Sequence, residues 1–164
     1  MRWLYLVVSI LVLCSIQFVL MSHAQYAPDL LVIFAVFLAL NAPREMALTG
    51  AWLCGLFSEV SSGQAGHLRI GAIALVLTFF AWVLTRHRTE LFIGHWLTRT
   101  IIVALVSAVC GLATIAVVYL ETRHFVNWTC LHQMLIGVAL TTGLSIPLCP
   151  LFSRIRRLYS NGRH

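Results

Sequence analysis

Two carboxylates bracket a pair of short apolar segments, and they are the residues best suited to chemistry or recognition. Asp29 precedes the segment 30–40, and Glu59 follows the segment 47–57. If both segments cross a membrane, the chain goes in and returns, so both carboxylates lie at the same face. Ionisable groups near a bilayer are costly and tend to mark function or partner contact. We therefore expect this hairpin to carry the function of the protein.

The two acids differ in how easily helix ends explain them. Asp29 follows Pro28, which suits a first helical position, and an acid there faces the positive end of the helix dipole. Both capping and a functional role remain open for Asp29. Glu59 lies at a helix C-terminus, where the dipole disfavours an anion. It needs water or a cation, and His67 and Arg69 are the nearest in sequence. We name Asp29, Glu59 and Arg69 as candidate partner-interaction residues, and a solvated helix end is the alternative for Glu59.

Other reactive side chains do not form the patterns of an enzyme. The seven histidines show no metal-ligand spacing, and the five cysteines are scattered without a C-x-x-C pair. Each cysteine is expected to serve as a small, buried hydrophobic residue. The sequence 61–63 is Ser-Ser-Gly, which is a turn rather than a nucleophile elbow. We therefore predict no catalytic residue, no cofactor and no metal.

Composition indicates an integral membrane protein. Sixty per cent of the 164 residues are hydrophobic and 10% are charged, with a mean hydropathy of +0.93. Soluble domains have roughly 25% charged residues. The length fits one domain, residues 1–164, and hydropathy predicts an all-α bundle of about six transmembrane helices. The predicted segments are 4–21, 28–42, 44–60, 68–85, 101–120 and 131–152. The second and third are short, so they form either short crossings or a re-entrant pair packed inside the protein.

Several features of these segments lead to further expectations. The first could instead be a signal peptide, because Arg2 precedes it and Ser-His-Ala at 22–24 resembles a cleavage site. Pro147 and Pro150 should kink or end the last segment. The third segment, rich in small residues, is expected to be central. Glycines in small-residue stripes let helices approach closely, and we expect such packing at Gly50, Gly55, Gly111 and Gly137.

Arginine positions predict the orientation. With six crossings, nine of the eleven arginines fall on one face, and only Arg69 and Arg123 fall on the other. Positive residues concentrate in cytoplasmic segments, so both termini and the link 86–99 should be cytoplasmic. Asp29 and Glu59 should then lie at the outer face. The basic C-terminal tail suits anionic lipid headgroups rather than nucleic acid.

A resemblance rests on these same residues. The chain resembles the rod shape-determining protein MreD family of bacterial inner-membrane proteins, over roughly residues 28–84. The matching stretches are Pro-Asp-Leu-Leu at 28–31, Gly-Ala-Trp-Leu-Cys-Gly-Leu-Phe-Ser-Glu at 50–59, and Gly63 and Gly66 before the next helix. The chain departs from the family by having Glu59 where an aspartate is expected, and by Arg69.

The resemblance implies a multi-pass protein of the bacterial inner membrane without enzymatic activity. Members of the family belong to the machinery of lateral cell-wall growth. They associate with the bitopic periplasmic protein MreC and link MreB filaments to peptidoglycan synthases, which controls cell shape. Their fold is similar to the substrate-binding subunits of vitamin transporters. An alternative is therefore a small-molecule-binding transporter subunit, with Asp29, Trp52 and Glu59 lining an outward-facing pocket.

The expected role of Glu59 leads to a prediction about substitution. As a surface charge, it should contribute only about 0–1 kcal/mol to the fold. A Glu59→Gln variant should then insert and accumulate normally but recover less of its periplasmic partner.

Overall fold

The computed structural model describes residues 2–23, 27–61, 71–87, 96–122 and 128–160. These residues form six α-helices and no strand, so the all-α prediction is confirmed. The helices are α1 Arg2–His23, α2 Leu30–Asn41, α3 Arg44–Ser61, α4 Ala72–Arg86, α5 Trp96–Thr122 and α6 Trp128–Ser160.

Three helices are long and apolar enough to cross a membrane, and they contain the spans Trp3–His23, Leu97–Val117 and Leu131–Leu148. The helices α2 and α4 are apolar but shorter. These three spans agree with a membrane protein.

The centre of the bundle is α2. Every residue from Leu30 to Leu40 is buried, and α2 contacts each of the other five helices. A helix that is apolar on all sides has no face suited to water, so it is buried in a core or in lipid. The expectation that α3 is central also holds, because its small-residue face is buried and packs on α1, α2 and α4, while Trp52 lies on its exposed side.

The outer helices expose apolar side chains and the interior contains polar ones. Exposed residues on α1 and α5 include Leu4, Phe18, Ile101 and Leu112. The buried polar side chains of the described residues are Gln17, Ser58, Glu59, Ser107, Thr141 and Ser145. Large contiguous apolar surface on a soluble monomer is rare. This distribution is that of a protein surrounded by lipid.

The glycine predictions have different outcomes. A Cβ added at Gly50 would stand 2.6 Å from Leu38 Cδ1, and one at Gly111 would stand 2.7 Å from Met134 Cγ. One at Gly55 would stand 2.7 Å from Ala74 N. These three glycines therefore lie at close helix contacts. A Cβ at Gly137 would meet no described atom within 4 Å, so the described residues make no close contact there.

Two other expectations concern the last helix and the cysteines. Of the two expected effects of Pro147 and Pro150, a kink or an end, the second does not occur, because α6 continues through both to Ser160. Cys54 and Cys110 are buried, as expected, whereas Cys14 is only half-buried. The side chains of Cys130 and Cys149 lie outside the described residues.

Candidate functional site

Asp29 caps the N-terminus of α2. Its Oδ1 accepts hydrogen bonds from the backbone N–H groups of Leu31 and Val32, each at 3.2 Å. The first N–H groups of a helix have no acceptor within the helix, and leaving them unpaired in a buried position is costly. The carboxylate also faces the positive end of the dipole of α2. The capping role considered for Asp29 from its sequence is therefore present.

Three other helices meet at the same residue. Gln17 of α1 donates its Nε2–H to Asp29 Oδ1 at 3.2 Å, and Ser58 of α3 donates its hydroxyl to Oδ2 at 2.8 Å. The backbone N–H of Asp29 donates to Thr141 Oγ1 of α6 at 3.0 Å. We call Gln17, Asp29, Ser58 and Thr141 the Asp29 junction. It connects α1, α2, α3 and α6 through polar bonds inside an otherwise apolar bundle.

The Asp29 junction lies within the bundle and not at its rim. Gln17 precedes the end of α1 by six residues, and Thr141 follows the start of α6 by thirteen. At 1.5 Å per residue, these helices extend roughly 9 Å and 20 Å beyond the junction. Gln17 and Thr141 are 0% and 1% exposed. Ser58 joins Asp29, at the start of α2, to the last turn of α3, so Asp29 does lie near Glu59 at the open end of this hairpin, as expected, while α1 and α6 extend beyond that end.

Glu59 directly follows Ser58 in α3 and serves a different helix. Its Oε2 accepts a hydrogen bond from the backbone N–H of Gly71, and its Oε1 accepts one from Ile73 at 2.6 Å. Both donors belong to the N-terminus of α4. The prediction that Glu59 lacks dipole support considered only its own helix and is wrong, because the carboxylate faces the positive end of α4. Only 7% of Glu59 is exposed, so it is not a solvated helix end.

The close crossing of α3 and α4 brings Glu59 to this position. Gly55 lies one helical turn before Glu59, and a Cβ there would stand 3.0 Å from Ala74 Cβ and closer still to Ala74 Cα. Without a side chain at Gly55 the two backbones approach, and Glu59 then reaches the amides of Gly71 and Ile73. Gly71 itself has a φ of 109°, a left-handed conformation that glycine adopts without steric cost.

Three further residues were considered together with these acids: Trp52, His67 and Arg69. Trp52 is 47% exposed and precedes Glu59 by seven residues, roughly 10 Å along the axis of α3, so the hydrogen bonds described for Asp29 and Glu59 do not include it. His67 and Arg69 lie outside the described residues.

The chemistry of the site is structural in character. Among the described residues, every buried side-chain nitrogen or oxygen has a hydrogen-bond partner. The same part of the chain contains no group of three or more His, Cys, Asp or Glu side chains that could hold a metal ion. The polar groups in the interior therefore bind each other, and the acids serve to join helix ends.

Sequence reasoning missed Gln17 and Thr141. Gln17 was detectable, because it is the most polar residue within the apolar segment 4–21, and a polar residue inside a membrane segment usually faces the interior of a bundle. Thr141 has no comparable signal, since threonine is common in membrane helices and often bonds to its own backbone, as Thr141 also does with Gly137 O at 2.8 Å.

Comparison with protein-family models, with curated proteins and with solved structures gives no match to this chain.

Proposed function

We propose that this protein is a non-enzymatic membrane scaffold of the bacterial cell-wall elongation machinery, as its resemblance to the MreD family implies. It resides in the inner membrane with six crossings and with both termini in the cytoplasm. Its partners are an MreC-like bitopic protein and other membrane components of the machinery. Through them it helps to couple MreB filaments to peptidoglycan synthesis and so to maintain cell shape.

The observation that carries this proposal is the position of the residues behind the resemblance. Asp29 and Glu59, from the two stretches that resemble the family, form the caps of α2 and α4. Gly55, from the same stretches, makes the close crossing that brings Glu59 to α4. The resembling residues are thus those that organise the bundle. Interior polar groups that bond to each other favour a rigid scaffold over a reaction centre.

Because the acids face the interior of the bundle, they act on a partner indirectly, through the segment that they hold in place. Glu59 connects the end of α3 to the start of α4, and these are the two points between which the link 62–70 runs. That link includes Arg69. In our proposal, Glu59 holds both ends of the link in place, Asp29 fixes Ser58 beside it, and Arg69 contacts the partner directly.

Partner recovery in matched variants tests this proposal. Arg69→Gln should insert normally, recover at least about threefold less of the bitopic partner and give rounder cells, since a contact to a charged group is worth roughly 1.5–3 kcal/mol when buried at an interface. Glu59→Gln should also recover less partner, but with a loss of stability. Glu45→Gln is the control, because Glu45 is an exposed acid in the first turn of α3.

Two results would contradict the proposal. One is unchanged partner recovery and normal rods in Arg69→Gln and Glu59→Gln cells, with recovery normalised to folded protein. The other is copurification of a vitamin-like small molecule that both substitutions release, which would support the transporter-subunit alternative.

A further inference from the structure

One exposed face of α4 carries a continuous row of large side chains that ends in a cation. Leu75, Phe79, Trp82 and Arg86 follow each other at intervals of four, three and four residues, so they lie on one side of the helix. The first three are 69%, 59% and 37% exposed, and Arg86 is exposed as well. We call these four residues the α4 stripe.

The guanidinium of Arg86 is held by the aromatic part of the stripe. It lies over the Trp82 ring at 5.6 Å from the centroid, and the Trp82 and Phe79 rings are 6.3 Å apart. A guanidinium that stacks on an aromatic ring contacts the ring with its planar face. The N–H groups at the edge of the guanidinium remain able to bind an oxyanion such as phosphate. The stacking therefore positions Arg86 as an anion-binding group.

The charge at this end of the bundle favours an anionic occupant. Glu59 at the end of α3 binds the start of α4, so the start of α3, with Arg44, lies at the end of α4. Arg99 lies in the first turn of α5, which follows α4 and packs on it. Three arginines of the described residues thus belong to the end of the bundle at which the α4 stripe finishes.

The length of the stripe matches one leaflet of a bilayer. Leu75 and Arg86 are eleven residues apart, which is roughly 16 Å along a helix. Half of a hydrocarbon core of about 30 Å is about 15 Å. Arg86 at the headgroup level would place Leu75 near the midplane, and Trp82 at the level that interfacial aromatic residues favour.

We propose that the α4 stripe binds an anionic phospholipid in the leaflet at which α4 ends. Its phosphate contacts Arg86, its ester region lies beside Trp82, and an acyl chain follows Phe79 and Leu75. A partner helix fits this face less well, because close packing of helices in membranes uses small residues and the stripe presents large ones.

Lipid titration of the full chain tests the proposal. The purified protein in neutral detergent is titrated with phosphatidylglycerol or phosphatidylcholine of identical acyl chains, and bound lipid is counted by native mass spectrometry. Phosphatidylglycerol should bind at least about fivefold more tightly than phosphatidylcholine. Arg86→Gln should weaken the binding of phosphatidylglycerol about fivefold, which is the contribution of one basic residue at an anionic surface. Trp82→Leu should weaken the preference, and Arg86→Lys should retain part of it.

Arg44→Gln is the matched control, because it removes the same charge at the same end of the bundle from a residue outside the stripe. It should weaken phosphatidylglycerol binding less than Arg86→Gln does, because Arg44 contributes to the charge at this end of the bundle but does not stack on Trp82 to contact the phosphate. Equal binding of the two lipids, or equal losses in Arg86→Gln and Arg44→Gln, would overturn the proposal. A photo-reactive residue at position 82 that crosslinks to one polypeptide instead of lipid would also overturn it and assign the face to a partner helix. Thermal unfolding midpoints confirm that the variants compared are folded.

Discussion

The crossing of α3 and α4 at Gly55 gives the sharpest prediction about stability. In Gly55→Ala, the new methyl group would stand 2.7 Å from Ala74 N and 3.0 Å from Ala74 Cβ. The obstacle is mainly backbone, which cannot rotate away as a flexible side chain can. The helices must therefore move apart. Glu59, one turn further along α3, would then lose the hydrogen bonds that it accepts from the backbone N–H groups of Gly71 and Ile73.

The magnitude follows from three contributions. Overpacking of a close contact costs about 1–3 kcal/mol, and weakening of a helix N-cap costs about 1 kcal/mol. Replacement of glycine by alanine inside a helix returns about 0.5–1 kcal/mol. Gly55→Ala should therefore lower the free energy of unfolding by about 1–3 kcal/mol.

Gly143→Ala is the matched control, because Gly143 lies in a helix and a Cβ there would meet no described atom within 4 Å. It should be neutral or stabilising by up to about 1 kcal/mol. Both variants are unfolded reversibly by SDS in mixed micelles and followed by tryptophan fluorescence. If Gly55→Ala and Gly143→Ala have the same free energy of unfolding, the close crossing does not support the fold and our reasoning on Glu59 is wrong.

Three further predictions follow from the same structure. Gly111→Leu should destabilise the protein by about 1–3 kcal/mol because it overpacks against Met134, whereas Gly137→Leu should cost little, and equal detergent stability of the two would contradict this. Thr141→Val should cost about 1–3 kcal/mol by leaving the Asp29 N–H without its acceptor. Its control is Thr142→Val, since Thr142 bonds to Val138 O of its own helix, and similar unfolding midpoints would argue against the Asp29 junction. A cysteine at position 92 in a cysteine-free background should not react with a membrane-impermeant reagent added outside the cell, and its labelling there would refute the proposed orientation.

The sequence predicted those features that depend on local pattern. Hydropathy located the six helices, and the pair Pro28 and Asp29 indicated a helix start that Asp29 does cap. Glu59 was misjudged because its acceptor role depends on α4, which reaches it only through the crossing at Gly55. No spacing within α3 contains that information. The same holds for α2, whose uniformly apolar sequence allows either lipid or a protein core around it, and only tertiary packing decides.

The depth of Asp29 within the bundle has a related cause. A hairpin of two short helices suggests that its open ends lie at a membrane surface, if all helices begin at the same level. Here α2 is only twelve residues long, and the longer α1 and α6 pass beyond its start. Gln17 and Thr141 can then approach Asp29 from the side. The depth of one helix relative to another is set by packing in the bundle, and the sequence of a single segment does not determine it.

The central claim is that Asp29 and Glu59 hold this bundle together from within, and a double-mutant cycle between Asp29 and Ser58 tests it most directly. Asp29→Asn retains an acceptor for the amides of Leu31 and Val32 but places an amino group at the position of Oδ2, where Ser58 donates at 2.8 Å. Ser58→Ala removes the hydroxyl. Unfolding free energies of the wild type, both single variants and the double variant should give a coupling of about 1–3 kcal/mol, since a hydrogen bond to a charged group is broken by either change. Strictly additive effects would show that Asp29 and Ser58 do not support each other, and would contradict the account.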